Sequence, residues 1–486
     1  MPISNKSTVC SILKETKQGV LVTPTSAKTG LTQINEGFEI SPEVSELESE
    51  ELSGSLGRSR SVIGAENPTG SFTRYMRGSG TEGDAVDFDE VLEAALGGKQ
   101  AAQAEIATIA GSTLKQLKTG ATTLPVRGQA LLIKDANGFS IRNVLSTGTG
   151  EINLAQASPR IAPDGTKLGR AVLYFPKPQY PTLSMLIYRG NGGSREFMSG
   201  AFVTELGLEI TAGEFINGNF SLAGREYFFN PIVIPANAKL SIDGNDEDIK
   251  AGVYKDPIEF ASYLQGVLRS AVNNKDLAVS YSSSTGKYTI TGSANFSLEL
   301  SASGSIGSLI GFGNADLTGE DSYEATNALT LKFPETLSYD DQAPLVAKGG
   351  EVLLGLADDT TCINASTLTA TITNTKTDVQ DVCSSTGRGD SRVSERVVEL
   401  ELSALLEPHQ VREFERFRKG TELMFTANFG VKEGGNFKAG TCLNLFSPTM
   451  TITSFNITDS DGLAQLDLGL RAFSDNGAGE FYINTL

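Results

Sequence analysis

Residues 201–229 read AFVTELGLEITAGEFINGNFSLAGREYFF, and this stretch indicates the fold of the chain. Leu206, Leu208 and Ile210 alternate with glutamate or glycine, a turn region containing Gly-Asn follows, and Phe220 resumes the apolar spacing. Period-two patterning on both sides of a turn is typical of a β-hairpin with one buried face. The stretch therefore predicts a half-buried antiparallel hairpin.

A second hairpin of the same kind is predicted near the C-terminus. Residues 450–474 read MTITSFNITDSDGLAQLDLGLRAFS, where Leu466, Leu468 and Leu470 alternate with polar residues or glycine. Two such units far apart in one chain suggest an internal repeat.

The segments before each hairpin also resemble one another. Residues 31–76 and 366–406 both read as strand, long polar loop and strand, and they can be laid together at Gly57-Arg58 and Gly387-Arg388. Identity between the halves is low, so a chance agreement of generic β-protein features is the alternative. We interpret the pattern as two copies of one β-fold.

A helix is predicted after each polar-loop segment, in DFDEVLEAALGG from Asp87 and in EPHQVREFERFRKG from Glu407. Each has apolar residues at helical spacing. In the first helix they are Phe88, Val91, Leu92, Ala95 and Leu96, and in the second they are Val411, Phe414 and Phe417.

The expected fold class is mainly β, of sandwich or barrel type, duplicated, with one flanking helix per copy and a small α+β inserted domain. The predicted domains are 1–235, with a β elaboration at about 125–175, then an inserted surface domain at 236–325, and a second copy at 326–486. The insert contains the amphipathic segment PIEFASYLQGVLRSAVNN and a Ser-Thr-Gly turn at 284–286. A length of 486 residues, with 52 glycines and no tryptophan, fits such a chain of short strands and turns.

Composition argues against several functional classes. The formal net charge of -18 disfavours ordinary nucleic-acid binding. His409 is the single histidine, so histidine-based triads and metal sites are not expected. We expect no enzyme activity, no cofactor and no metal. No apolar stretch approaches the roughly 20 residues that cross a bilayer, and no signal peptide is recognised, so synthesis in a cytoplasm and no membrane insertion are expected.

A glycine motif before the first predicted helix resembles a nucleotide-binding loop. Gly78, Gly80 and Gly83 spell G-x-G-x-x-G before a helix, as in a dinucleotide-binding loop. Since no hydrophobic parallel strand follows the helix, an ordinary glycine-rich connection is the preferred interpretation.

Several motifs resemble siphophage-type tail tube proteins of bacteriophages. They are VTPTSAKTGLT from Val22, the acidic ELSGSLGR loop from Glu51, the DFDEVLEAALGG helix, and SMLIYRGNGGSREFMSGAFVTELGLEITAGEFINGNFSLAG from Ser184. The insert resembles the small motif of flagellin and hook-associated proteins, through LSIDG at 240–244 and LIGF at 309–312.

The resemblance implies a structural virion protein of the phage tail, which self-assembles into stacked homo-oligomeric rings and forms the conduit for genome ejection. Two tube-like halves in one chain imply trimeric rings in preference to hexameric ones, closed as one inner β-barrel. Implied partners are the tape measure and the tail terminator or baseplate proteins. Double-stranded DNA would pass through an acidic lumen without specific binding.

The two long polar loops, at about 44–66 and 376–396, are the predicted contacts between subunits or rings. Their mixed charges suit complementary stacking, which sets register and orientation more than affinity. A solvated loop with incidental charges is the alternative. The candidate contact residues are Glu48, Glu50, Glu51, Arg58, Arg60, Arg388, Asp390, Arg392 and Arg396.

Two rival functions were considered. A flagellar hook-associated or other filament protein is suggested by the insert alone, and such proteins should begin and end with long heptad-patterned helices. An adhesive or carbohydrate-active β-protein should carry aromatic platforms, which a chain without tryptophan makes less favourable.

Overall fold

A computed structural model of the chain describes residues 3–48, 61–272, 276–356, 359–384, 387–407, 411–460, 462–474 and 479–486. Strands dominate these residues. The helices are α1 (Asp89–Leu96), α2 (Pro257–Val272) and α3 (Val411–Lys419), with a short 3-10 turn at Asn5–Ser7. No helix in the described ranges is both long and apolar enough to cross a membrane.

The strands before α2 are β1 (Val9–Lys14), β2 (Glu39–Ser41), β3 (Val44–Leu47), β4 (Val62–Glu66), β5 (Thr69–Tyr75), β6 (Gly97–Gln100), β7 (Ile106–Ala107), β8 (Gln116–Lys118), β9 (Ala130–Asp135), β10 (Gly138–Gly148), β11 (Glu151–Leu154), β12 (Lys167–Gly169), β13 (Val172–Pro176), β14 (Leu183–Arg189), β15 (Ser194–Thr211), β16 (Asn217–Ala223), β17 (Glu226–Phe229), β18 (Ile232–Ile234), β19 (Ala238–Ile242), β20 (Asn245–Ile249) and β21 (Gly252–Tyr254). Those after α2 are β22 (Ala278–Ser282), β23 (Lys287–Glu299), β24 (Leu317–Glu324), β25 (Glu351–Leu356), β26 (Asp359–Cys362), β27 (Ala365–Thr377), β28 (Arg392–Leu405), β29 (Leu423–Glu433), β30 (Asn436–Ser460), β31 (Leu463–Ala472) and β32 (Tyr482–Thr485).

Two strand sets with the same order make up most of a 17-stranded sheet. The first set is antiparallel in the order β1–β14–β15–β16–β5–β2. The second set is antiparallel in the order β25–β29–β30–β31–β28–β27. In each set, the strand that is fifth in the spatial order is followed in the sequence by a helix. Helix α1 comes after β5, and α3 comes after β28.

The bulges of the two sets also fall at matching places. The β15–β16 pairing shifts between Val203 and Glu205, and the β30–β31 pairing shifts between Ile452 and Ser454. The equivalent pairs β14–β15 and β29–β30 each contain a shift at the start of their first strand. Because a bulge alters twist at one point, shared bulges give the two sets the same local shape.

The two sets join edge to edge. The end of β15, from Glu205 to Thr211, pairs antiparallel with β27 from Thr373 to Thr367. A second connection is made by β32, the last strand, which lies between β13 and β30. The sheet is therefore continuous through both halves of the chain.

Both predicted hairpins are confirmed. Leu206, Leu208, Leu466 and Leu468 are almost fully buried in one main core, while their neighbours on the opposite face are polar. The alternation reflects the pleat of a strand, since successive side chains point to opposite faces.

The two predicted helices form but differ in burial. The apolar stripe of α1 lies wholly in the main core. On α3, by contrast, Phe414 remains 42% exposed and Phe417 is partly buried. The side chain of Val411 lies outside the described residues. Both helices have apolar residues along one face, but the described residues bury this face less completely in α3 than in α1.

Two smaller units lie beside the large sheet. Strands β7–β12 form a six-stranded sheet that packs on β30, where Asn143 and Asn444 exchange buried hydrogen bonds of 2.8 and 3.0 Å. Strands β19, β20, β22, β23 and β24 form a separate sheet that packs against α2 around Phe260 and Leu264.

Candidate assembly surfaces

The end of β30 is an open sheet edge. Residues 454–460 pair with β31 and with no other described strand. The equivalent stretch of β15 has a strand on each side, β16 and β27. Ile457 is consequently 56% exposed, whereas Leu208, at the equivalent position, is fully buried. An open edge with an exposed isoleucine is a site for adding a further strand.

A matching edge lies at β2, at the other end of the first strand set. Among the described strands, β2 pairs with β5 alone. Its equivalent in the second set is β27, because Phe72 on β5 and Leu402 on β28 occupy the same place opposite Phe220 and Leu468. Since β27 pairs with β15 inside the chain, β2 presents the complementary edge to that of β30.

The polar face of the joined sheet is acidic where the two sets meet. This face consists of Glu205, Glu209 and the residues that the strand register places beside them on the neighbouring strands. Its carboxylates are Glu39, Glu205, Glu209, Glu399, Glu401 and Asp467, and its guanidinium is Arg471, which pairs with Glu399 at 2.5 Å. Hydrogen bonds from Ser403, Gln465 and Thr458 hold the pKa of Asp467 below its ordinary value, so it is ionised at neutral pH.

The second predicted contact loop is held against the first half of the same chain. We call residues 374–396 hairpin 2, formed by the ends of β27 and β28 and their connection. Arg225, just after β16, donates to the Arg388 carbonyl oxygen at 3.0 Å and lies 3.5 Å from the Asp390 carboxylate. Arg396 pairs with Glu480 and donates to the Leu96 carbonyl oxygen at 3.3 Å.

Arg392, the remaining candidate in this loop, is exposed at the start of β28 opposite Thr377. Contact of these four residues with another subunit stays a prediction.

Asp378 organises the base of hairpin 2. Its carboxylate accepts from Ser391 Oγ at 2.7 Å and from Lys376 Nζ and Arg388 Nη1 at 2.9 Å each. Burial raises the pKa of Asp378, but these hydrogen bonds and the two cations outweigh it, and the net pKa lies below the ordinary aspartate value. Lys376 Nζ also donates to the Gly224 carbonyl oxygen at 3.0 Å, so the cluster ties hairpin 2 to the first strand set.

The two ends of the first predicted contact loop pair with each other as short strands. These strands are rich in apolar and acidic residues. We call the paired strands β3 and β4 hairpin 1; Val44 lies opposite Glu66 and Leu47 opposite Val62. Glu48 is exposed at the end of its first strand. The other candidates of this loop, Glu50, Glu51, Arg58 and Arg60, lie outside the described residues.

The G-x-G-x-x-G segment is a packing element. Gly80 N–H donates to the Gly440 carbonyl oxygen at 2.8 Å, and a Cβ on Gly78 would overlap that oxygen. The glycines therefore bring the first half of the chain against the β30 strand of the second half.

The comparison with family models now bears on these surfaces. Residues 6–239, which include β1, the whole first strand set and its helix, match the model of the phage tail tube protein family. This half of the chain is therefore similar to phage tail tube proteins. The match supports a structural component of a virion tail tube, and the matched family is not an enzyme family.

Two solved structures are also similar to part of this chain. One is the virion of a native gene transfer agent particle, with 18% identity over 27% of this chain and 94% of that chain and a TM-score of 0.19. The other is the tail of an empty gene transfer agent particle with C6 symmetry, with 15% identity over 26% and 92% of the two chains and a TM-score of 0.20. Likeness at this level carries no argument about architecture. No curated protein matches the chain.

Sequence reasoning missed the most informative assembly residue, Ile457. It lies in an alternating apolar run and looks like a core residue. Its exposure depends on which strand lies beside β30, and no local signal carries that information.

Proposed function

We propose that this chain self-assembles into closed rings that stack into the tail tube of a long-tailed phage, the conduit for genome delivery. The observation that carries the proposal is the internal β15–β27 joint, together with the open edges of β30 and β2 at the equivalent places. One chain therefore contains one completed pairing between strand sets, β15 with β27, and the two unpaired edges, β30 and β2, that could form another between chains. A head-to-tail contact of this kind closes into a ring when the rotation per subunit divides a full turn.

The internal joint supplies a register for the joint between subunits. Inside the chain, Glu209 lies opposite Thr369 and Leu208 opposite Ala370. The equivalent positions place Thr458 of one copy opposite Glu39 of the next copy, and Ile457 opposite Ile40. Ile457 would then be buried beside an isoleucine that already belongs to the core.

The preferred ring contains three chains. Each chain would contribute two tube domains, at 1–235 and 326–486, with 236–325 as an inserted domain on the surface. Three chains then supply six strand sets and pair the β2 and β30 edges of every chain, which removes the risk of uncontrolled pairing at those edges. The tape measure and the terminator or baseplate proteins are the proposed further partners.

The acidic polar face would line the bore of this ring. It contains Glu205 and Glu209 on β15 and Glu401 on β28, with β27 between these strands, and its opposite face forms the main core. Carboxylates along the wall would repel the DNA phosphates, so double-stranded DNA would pass without adhering.

A disulfide between copies tests the ring and its register. In a background with the exposed Cys362 and Cys383 changed to serine, Glu39→Cys and Thr458→Cys are combined on one chain. Directly opposed strand residues lie within disulfide reach, so oxidation should yield covalent dimers and trimers and no larger species on a denaturing gel without reductant. Negative-stain images of the same sample should show rings or hollow tubes.

The matched control moves one cysteine along the same face. Thr458→Cys with Ser41→Cys places the thiols at diagonal positions roughly 7–8 Å apart, where a disulfide does not close. Cross-linking of the control to the same extent, or of neither variant, would overturn the proposed joint. A covalent ladder extending to six chains would keep the joint and overturn the trimer.

A further inference from the structure

Helix α1 is covered by hairpin 2 inside the chain. Asn374 Nδ2 donates to the Ala95 carbonyl oxygen at 2.9 Å, and Arg396 donates to the Leu96 carbonyl oxygen at 3.3 Å. These are carbonyl groups of the last helical turn, which have no partner within the helix. Asn374 and Arg396 lie directly opposite each other in hairpin 2. A single pair of facing residues therefore caps the C-terminal end of α1.

Helix α3, the equivalent helix, has no such cover among the described residues. Phe414 packs against Phe417 and Phe455 with ring centroids 5.4–6.5 Å apart, yet Phe414 is 42% exposed. Arg418 and Lys419 in its last turn are also largely exposed, with Glu415 as their ion-pair partner. An aromatic cluster beside exposed cations is a surface suited to an apolar and acidic partner.

Hairpin 1 has this composition and occupies the register position of hairpin 2. Val44 lies opposite Glu66 as Asn374 lies opposite Arg396, and Glu66 and Arg396 stand equally far before the equivalent residues Phe72 and Leu402. Its apolar side chains are unusually exposed, with Ile63 reaching 72%, and the others are Val44, Leu47 and Val62. Its described residues from 43 to 48 and 61 to 66 are acidic, with Glu43, Glu46, Glu48 and Glu66 and no lysine or arginine.

The charges of the two joints are reversed. At the internal joint Arg396 meets α1, a helix that contains Asp89, Glu90 and Glu93 and no basic residue. At the equivalent position hairpin 1 presents Glu66, and α3 ends in basic residues. Glu66 has a weak partner at present, Lys255 at 3.7 Å, and its second oxygen is buried without a hydrogen bond.

We propose that hairpin 1 of one copy covers helix α3 of the next copy, with Glu66 beside Arg418 and Lys419 and the apolar hairpin residues over the Phe414 cluster. This contact rests on the ring proposed above and adds a second surface to it. The charges also favour this partner, because α3 ends in exposed basic residues and α1 contains none. The two kinds of strand set must then alternate around the ring.

Charge reversal with rescue tests the contact, using Glu66→Lys, the pair Arg418→Glu and Lys419→Glu, and all three changes together. Each is made in the Glu39→Cys, Thr458→Cys chain. Either reversal alone should lower the fraction of chain in rings at limiting concentration by at least about tenfold, since like charges then face each other. The combined variant should recover most of the loss. Asp321→Lys, an exposed change on the small sheet, should have no effect.

The readouts separate this contact from the ring itself. If the parent chain forms no covalent trimer, the ring and the contact are both overturned. If the parent forms trimers and the reversals assemble as well as the parent, or if the combined variant is no better than the single reversals, the hairpin contact is overturned and the ring stands. Circular dichroism of each variant as a monomer excludes misfolding as the cause of a loss.

Discussion

At the scale of single residues, the two halves of the chain approach so closely at Gly78 that their backbones leave no room for a side chain. A Cβ on Gly78 would overlap the Gly440 carbonyl oxygen and lie 2.7 Å from the Cα of Thr441. Both partners are backbone atoms, so neither can move aside as a flexible side chain would. The glycine pattern that resembles a nucleotide loop in the sequence is explained by this close approach.

We predict that Gly78→Ala lowers the free energy of unfolding by about 1–3 kcal/mol, as overpacking does in well-packed interiors. Denaturant unfolding followed by circular dichroism measures the loss. Gly120→Ala is the matched control, because a Cβ there meets nothing within 4 Å. Equal stabilities of the two variants would contradict the packing explanation.

At the scale of elements, the same hairpin-and-helix unit has two environments. Hairpin 2 is held in place by a network around Asp378 that reaches the Gly224 backbone, while hairpin 1 has exposed apolar residues at the equivalent place. Helix α1 is correspondingly buried and α3 half-exposed. The place of each unit in the sheet, more than its local sequence, accounts for the difference.

The Asp378 network gives hairpin 2 a defined response to pH. Because the folded-state pKa lies below the ordinary value of about 3.9, the stabilisation is complete above that value and is lost as pH falls through the folded-state pKa. Asp378→Asn should therefore cost about 2 kcal/mol near neutral pH, with the difference from the parent shrinking below about pH 4. Denaturant unfolding across pH measures this, and Asp321→Asn is the control. A cost that persists unchanged at pH 2 would disprove the charge-based explanation.

At the scale of the whole molecule, the joined sheet separates an apolar face, which forms the core, from an acidic face. The acidic face spans both strand sets without interruption, since β15 and β27 pair directly. A ring of such sheets would have a predominantly acidic wall, and the net charge of -18 is in keeping with this. Repulsion of phosphate is then a property of the assembly and of no single residue.

Reversing Glu205, Glu209 and Glu401 to lysine should convert the bore into a DNA-binding surface. We expect short DNA duplexes to give density along the axis of variant tubes at low salt, and to leave it at high salt as counterions compete. Cryo-electron microscopy of tubes with and without duplex measures this. Three reversals on the small sheet, at Asp246, Asp248 and Asp321, should add no axial density. Axial DNA in the parent tubes would contradict an acidic, non-adhesive bore.

Local sequence patterns are sufficient to predict the two hairpins, their buried faces and the helices. Alternation around Leu206 and Leu468 and the stripe of α1 arise from local backbone geometry, which repeats every two residues in a strand and every 3.6 in a helix. These patterns were enough to predict the hairpins and the mainly β class. They also allowed the two loops to be aligned at a register that matches the equivalent strands β5 and β28.

Only the tertiary structure decided which strands lie at an edge and which charges share a face. Ile457 and Leu208 have the same local pattern, but a strand from a distant part of the chain covers one and not the other. Likewise Glu209 and Glu401 are almost two hundred residues apart in sequence, yet strand pairing places both directly opposite Thr369 in one row of the sheet. Pairing is non-local, because its energy depends on chain segments brought together by the fold, so no window of sequence contains it.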